Sequence, residues 1–250
     1  PLYPQEGPAQ WNGLMLWRGA MEWPKFLTGR SMIIAGGMTA KIVVYPIALG
    51  SREDRMLTNW AVQVKISDTK RGLPPNKEDW TRPGRFEDLM PHVRKVKTPH
   101  IDAQALIQAT PEFWEYPMCD RDPLPHWSHG RVTLLGDAAH PMYPIGSNGA
   151  SQSIIDGEAI TQELSKGDDP ELALKRYEER RLPPMARIVE SNRRKGIDIM
   201  LDIVEERAPK GFDRLDSVLP PDQLERIVGD YKKLVTQDRE TLLKLAAARP

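Results

Sequence analysis

One cysteine in 250 residues, Cys119, leaves no partner for an internal disulfide and excludes a structural zinc site built from several thiolates. Such sparing use of thiols fits a reducing cytoplasm. Net charge is lacking too. The 35 basic residues cancel the 35 acidic ones and no basic patch stands out, which argues against nucleic acid as a partner. No run approaches ~20 apolar residues, so no membrane-spanning helix is expected. The opening Pro1-Leu2-Tyr3-Pro4 has neither the basic nor the apolar stretch of a signal peptide. It also lacks an initiator Met, so the natural protein is expected to begin elsewhere. There is no internal repeat and no low-complexity tract. Gly-x-Gly occurs nowhere among the 18 glycines, so the usual pyrophosphate-binding turn of a dinucleotide fold has no candidate.

What is present is a globular composition: 40% hydrophobic and 28% charged, with a mean hydropathy of -0.52. The first half reads as strands and turns. Leu14–Trp17, Ser31–Ala35, Lys41–Ile47 and Thr58–Ile66 are apolar, β-branched or alternating. They predict a largely antiparallel sheet. Lys70–Gly84 reads as a Pro/Gly-rich loop, followed by short helices over Phe86–Val93 and Ile101–Ala109. In the second half a short apolar strand, Arg131–Leu135, leads through a loop to a helix ending near Leu164. Helical patterning then dominates from Asp169. Pro183-Pro184 is expected to break one helix and open the next, on which Ile188, Asn192, Gly196, Ile199, Met200 and Ile203 share a face. Glu171–Arg207 carries nine basic and eight acidic residues and reads as a solvated exterior.

One stretch carries chemistry, Gly130 to Gly149. A strand ending at Gly136 lets backbone approach a ligand closely. Asp137 then offers an acceptor-only carboxylate at a strand's C-terminal edge, where open α/β sheets bind ligands. The loop that follows is rigid at Pro141 and Pro144 and permissive at Gly146 and Gly149. A helix beginning near Ser147 turns unpaired N–H groups and a partial positive charge toward that loop, a seat for a developing anion. Ala150, Ser153 and Gly157 form a small-residue face against which something is expected to pack. Read alone, Gly-Asp before a helix is an ordinary turn.

The longer run is more specific. Gly136-Asp137-Ala138-Ala139-His140-Pro141, with Pro144, Gly146 and Gly149-Ala150, resembles the second flavin-contacting motif of the FAD-dependent aromatic hydroxylases of the p-hydroxybenzoate and salicylate hydroxylase type. Asn192-Arg193-Arg194, Glu205–Phe212 and Asp230-Tyr231-Lys232 resemble the salicylate- and phenazine-hydroxylase-like branch. The resemblance implies that Asp137 accepts hydrogen bonds from the FAD ribityl chain and that Gly136 permits its approach. It implies that Pro144 lies beside the isoalloxazine ring. Gly146 would be a further cofactor-binding position, and the helix start at Ser147, Asn148, Gly149 and Ala150 would face the ring's N1/C2 carbonyl edge and stabilise the reduced anion. It implies an α/β fold, α+β within this chain: a substrate-binding sheet (1–125), the last strand and helices of a Rossmann-like FAD domain (126–168) and a helical C-terminal region (169–250).

The reaction implied is hydroxylation of an aromatic ring with NAD(P)H and O2 through a flavin C4a-hydroperoxide, with no protein nucleophile and no metal. The family's Gly-x-Gly-x-x-Gly turn and upstream Asp-Gly pair are not found here; the one Asp-Gly, Asp156-Gly157, follows the flavin loop. The chain is therefore expected to be the C-terminal part of a longer enzyme and to hold FAD weakly alone. The sheet from Gly13 to Ile66 is expected to roof the flavin and hold the substrate. Trp17, Arg18, Tyr45 and Pro46 are its candidate contacts, though core packing is the safer reading of Trp17 and Tyr45. Met15, Met32 and Met38 are either pocket lining or core filler. His140 is read as structural, His126 and His129 as surface residues, and Arg193-Arg194-Lys195 as a wet face. Arg121-Asp122 divides evenly between a ligand contact and an exposed ion pair. A homodimer is compatible. The alternatives are a related flavin halogenase or reductase, or a non-catalytic fragment whose charged helices bind a partner.

Overall fold

The computed structural model describes residues 2–37, 39–76, 79–94, 96–167 and 169–235. Met38 and the segment 236–250 of the expected helical region lie outside them. The chain divides into two compact units, Pro1–Cys119 and Asp120–Pro250.

The first unit is a five-stranded sheet in the order β2-β3-β4-β1-β5, from β1 (Gln10–Pro24), β2 (Ile33–Gly36), β3 (Ala40–Leu49), β4 (Arg55–Lys65) and β5 (Phe113–Asp120). The pairs β1/β4, β3/β4 and β2/β3 are antiparallel. Period-2 alternation explains which face is covered. Trp17, Val62 and Ile42 lie in one register line and are buried with Met15, Trp60, Val64 and Val44. They pack beneath α1 (Phe86–Val93) and α2 (Ala103–Ala109), through Leu89, Val93, Leu106 and Ile107. Both indole N–H groups in this core are satisfied: Trp60 donates to Thr110 Oγ1 at 2.9 Å and Trp17 to Glu115 Oε2 at 2.9 Å.

β1 runs through Gly13 and Gly19, well beyond the expected Leu14–Trp17. Gly19 is a packing position, since a Cβ there would sit 2.8 Å from Trp60 Cζ2 and 3.0 Å from Phe113 Cβ. β5 had no alternating signature, because its Phe113, Glu115, Met118 and Asp120 are buried together with mixed polarity.

The second unit is mostly helical: α3 (Gly149–Leu164), α4 (Pro170–Arg193), α5 (Ile199–Arg207) and α6 (Pro221–Val235). Two expectations fail here. Arg131–Leu135 is not a buried strand. Only β7 (Val132–Thr133) forms, paired with β6 (Ser128–His129), and Val132 and Leu135 are exposed. Among the described residues no other strand pairs with it. The prolines do not end a helix either, and α4 passes straight through Pro183 and Pro184. A buried stripe at three- and four-residue spacing (Ala173, Tyr177, Arg181, Met185, Ile188, Asn192) crosses them, so tertiary packing outweighs the lost backbone bonds. The turn comes later, where Lys195 adopts φ 73 and a 3-10 turn at Gly196–Asp198 leads into α5. The face expected to run from Ile188 to Ile203 is therefore split.

Candidate flavin-binding site

The candidate loop starts at a 3-10 turn, Gly136–Ala138, where Gly136 takes φ 59. Its N–H donates to Asp156 Oδ2 at 3.0 Å, and a Cβ on it would lie 2.9 Å from Ser153 Oγ. The small-residue face of α3 is thus used at Ser153, whereas a Cβ on Gly157 would meet nothing within 4 Å. Asp137 is exposed, with its carboxylate turned toward the first turn of α3; a Cβ on Gly149 would be 4.0 Å from Oδ1 and would touch nothing nearer.

The approach to α3 is conformationally specialised. Gly146 has φ 69 and Ser147, an L-residue, has φ 55; Asn148 follows in the right-handed region at φ -96 and ψ -18. A left-handed residue followed by a right-handed one turns successive N–H groups to one side and makes an anion-binding concavity. That concavity opens onto the N-terminus of α3, where Asn148 makes no side-chain cap. The 16-residue helix adds its partial positive charge. Pro144, Gly146, Ser147 and Ala150 are exposed, and Asn148 and Gly149 are half-buried.

Behind the loop lies a buried ionic network that the sequence did not announce. His140, 3% exposed, shares a 2.6 Å hydrogen bond from Nε2 to Asp156 Oδ2. Arg181, 1% exposed, donates from Nε to Asp156 Oδ1 at 2.7 Å and from a terminal nitrogen to Gln152 Oε1 at 2.8 Å. Since Asp156 accepts, Nε2 of His140 carries the proton; Nδ1 has no hydrogen-bond partner among the described residues. Burial pushes the Asp156 carboxyl up, but hydrogen bonds from His140, Arg181 and the Gly136 N–H outweigh it and hold it below the usual carboxylate range. Trp127 packs at a tilt against His140 and Tyr177, with ring centroids 5.5 and 5.8 Å away. The Tyr177 hydroxyl, kept protonated chiefly by burial, donates to the Leu134 carbonyl at 3.2 Å. Arg181 corrects the view of Glu171–Arg207 as wholly solvated. A carboxylate, an imidazole and a guanidinium thus fix both ends of the Gly136–His140 turn against α3 and α4. Asp156 sits four residues after Gln152, also buried, and that polar pair was the available signal.

Arg193 is not on a wet face: Nε donates to Asp120 Oδ2 at 2.6 Å, one terminal nitrogen to Asp122 Oδ1 at 2.8 Å, and the other to the Arg121 carbonyl at 2.8 Å. Arg194 and Lys195 are exposed, and Lys195 pairs with Asp202. His126 is exposed beside Glu178, whose other oxygen accepts from the Trp127 and Ser128 N–H groups. Met15 is core and Met32 is exposed. In the first unit, the register puts Trp17 and Pro46 on the helix-covered face and Arg18 and Tyr45 on the other. Trp17 is 4% exposed. The Arg18 guanidinium lies 5.6 Å from the Tyr116 ring centre and 6.0 Å from that of Trp80, in cation–π range.

The exposed Asp137 carboxylate and the uncapped start of α3 are the kinds of group that a flavin's hydroxyls and electron-rich ring edge would need. Comparisons with known proteins give the family. Residues 38–192 match the family described as FAD binding domain. The chain is 42% identical over 182 residues to phenazine 1,6-dicarboxylic acid hydroxylase PhzS of Lysobacter antibioticus, covering 72% of this chain and 44% of that protein. It is 34% identical over 169 residues to 3-hydroxybenzoate 6-hydroxylase 1 of Aquipseudomonas alcaligenes, covering 68% and 39%. Among solved structures it is similar to a salicylate hydroxylase substrate complex (TM-score 0.61, 19% identity, 91% of this chain and 57% of that one). It is similar also to Klebsiella pneumoniae HpxO complexed with FAD and uric acid (TM-score 0.58, 19% identity, 95% and 52%). At that identity the structures speak for the fold. The chain spans less than half the length of these two curated relatives. It belongs to the FAD binding domain family.

Proposed function

We propose that the whole protein is an FAD-dependent monooxygenase that hydroxylates an aromatic small molecule with NAD(P)H and O2. One observation carries the reading: the left-handed Gly146-Ser147 pair opening onto the uncapped N-terminus of α3, with the Asp137 carboxylate beside it. Bound there, FAD supplies the redox and oxygen chemistry. The chain's residues bind, orient and polarise. Asp137 accepts hydrogen bonds from the ribityl hydroxyls. N–H groups of Ser147–Ala150 and the α3 dipole favour negative charge at the ring's carbonyl edge. His140, Asp156 and Arg181 hold the turn that presents Asp137 and touch no reactant.

Replacing Asp137 with alanine is expected to weaken FAD retention by the whole protein about tenfold, the worth of one charge-assisted hydrogen bond. Flavin absorbance after dialysis measures it, and unchanged occupancy would remove Asp137 from the site. Aromatic acids that stimulate NAD(P)H oxidation identify the reaction; a colourless whole protein that takes up no FAD would contradict it.

For the substrate, the face of the first unit's sheet opposite α1 and α2 offers Arg18 on its aromatic shelf and Tyr45. Arg18→Ala is expected to raise KM for an aromatic acid about tenfold and leave kcat nearly unchanged, the mark of a uniform binding contact. Steady-state kinetics that move kcat alone would reject that role. The single cysteine supports a cytoplasmic location, and a homodimer remains part of the proposal, tested by sedimentation.

A further inference from the structure

Tyr231 lies on α6, 86 residues from Ile145, yet its hydroxyl meets the flavin loop. Asn148 Nδ2 donates to it at 2.7 Å. Its single proton faces two acceptors, the Ile145 carbonyl at 3.1 Å and Asn192 Oδ1 at 3.2 Å. Asn192 in turn donates from Nδ2 to the Tyr143 carbonyl at 3.2 Å. The ring fits between two left-handed glycines: a Cβ on Gly146 would lie 2.1 Å from the Tyr231 hydroxyl oxygen, and one on Gly196 would lie 2.9 Å from Cε2. Four residues further along α6, the Val235 carbonyl accepts from Gln152 Nε2 at 2.9 Å, so the helix end is also tied to α3.

Resting on the flavin-loop reading above, we infer that Tyr231 is a positioning residue: its hydroxyl holds the Ile145–Asn148 turn in the left-handed form that aims its N–H groups at the flavin. Ser147 at φ 55 is a conformation that an L-residue leaves unless its surroundings over-determine it. The hydroxyl of Tyr231 grips both sides of that residue, at Ile145 and at Asn148. The ring alone supplies packing. The hydroxyl supplies the conformation, and Asn148, engaged with it, leaves the α3 N-terminus open.

Tyr231→Phe keeps the ring and removes the grip. In backbone NMR of the ligand-free whole protein, amide order parameters of Gly146–Asn148 are expected to fall from the rigid range, about 0.85, toward 0.6, while those of Leu174–Val189 stay put. In the whole protein, FAD is expected to bind about tenfold more weakly. Adding Ser147→Gly to Tyr231→Phe is expected to recover severalfold in affinity, because glycine takes a positive φ without a Cβ penalty. Should Tyr231→Phe unfold α6, Asn148→Ala removes one side of that grip from the loop and is expected to loosen the turn by a smaller amount. A turn that stays rigid in either variant overturns the inference. So does a double variant that recovers nothing, since the hydroxyl would then act through general stability. A wild-type protein that binds no FAD, while the turn loosens as described, leaves the Tyr231 inference standing and rejects the flavin reading instead.

Discussion

Replacing Asp156 with alanine is expected to destabilise the second unit by about 3–5 kcal/mol, the usual cost of removing one partner from a buried ion pair. The change strands the Arg181 guanidinium, 1% exposed, with Gln152 and the Met185 sulfur as its remaining partners among the described residues. It also leaves the Gly136 N–H and His140 Nε2 without their acceptor. Three elements lose their common anchor at once: the Gly136–His140 turn, α3 and α4. Hydrogen exchange resolved on peptides from 120–235 separates this unit from the first. Arg181→Met, an apolar side chain of similar length, is expected to cost less than Asp156→Ala, because Asp156 keeps its donors His140 Nε2 and the Gly136 N–H.

The same network gives stability a pH dependence. The Asp156 carboxyl is depressed in the folded protein, so its contribution is present above the ordinary carboxylate value, near 3.9, and is lost as pH falls through the lower folded value. The wild-type minus Asp156→Ala difference is therefore expected to be flat above about pH 5 and to shrink on acidification. A difference that grows toward acid would mean that the carboxyl is held protonated instead, with burial winning over its three donors. Denaturant titrations across pH 3–7 decide this.

These predictions concern residues whose partners a reading of the sequence did not reach, and the reason is distance along the chain. Asp137, Pro144 and Gly146–Ala150 form one contiguous stretch, so the glycines, prolines and following helix were legible together. The residues that hold that stretch arrive from elsewhere: Asp156 from 16 residues beyond His140, Arg181 from 25 beyond Asp156, Tyr231 from 86 beyond Ile145. Each sits on a helix whose own pattern is locally complete without it. Asn192 and Tyr231 did belong to fragments resembling one branch of the hydroxylases; that they converge on the loop is a tertiary fact. Local rules did best where local forces decide. The helix expected over Phe86–Val93 forms there, and the helical patterning expected from Asp169 begins as α4 at Pro170, with the Asp169 side chain capping it. They failed where packing overrode them. Gly19 reads as a strand boundary but makes room for Trp60, and Pro183-Pro184 reads as a break but lies within a helix with a continuous buried stripe.

Gly146→Ala carries the other large effect, and it tests whether the flavin loop and α6 are one mechanical unit. At φ 69 alanine sits in the left-handed region, which costs an L-residue about 1–2 kcal/mol. Its methyl would also enter the Tyr231 ring, 2.1 Å from the hydroxyl oxygen and 2.6 Å from Cε1 and Cζ. The hydroxyl is held by Asn148, Ile145 and Asn192, and a ring flip about its own axis leaves the oxygen in place, so rotation does not relieve the clash. Overpacking of this kind typically adds about 1–3 kcal/mol. The variant is expected to expel Tyr231, to expose α6 to exchange and to release flavin. The two contributions separate in a double-mutant cycle with Tyr231→Ala, which clears the space and leaves only the backbone cost. Coupling of about 1 kcal/mol or more between positions 146 and 231 is expected; strict additivity would show that the loop and α6 bear on the site independently.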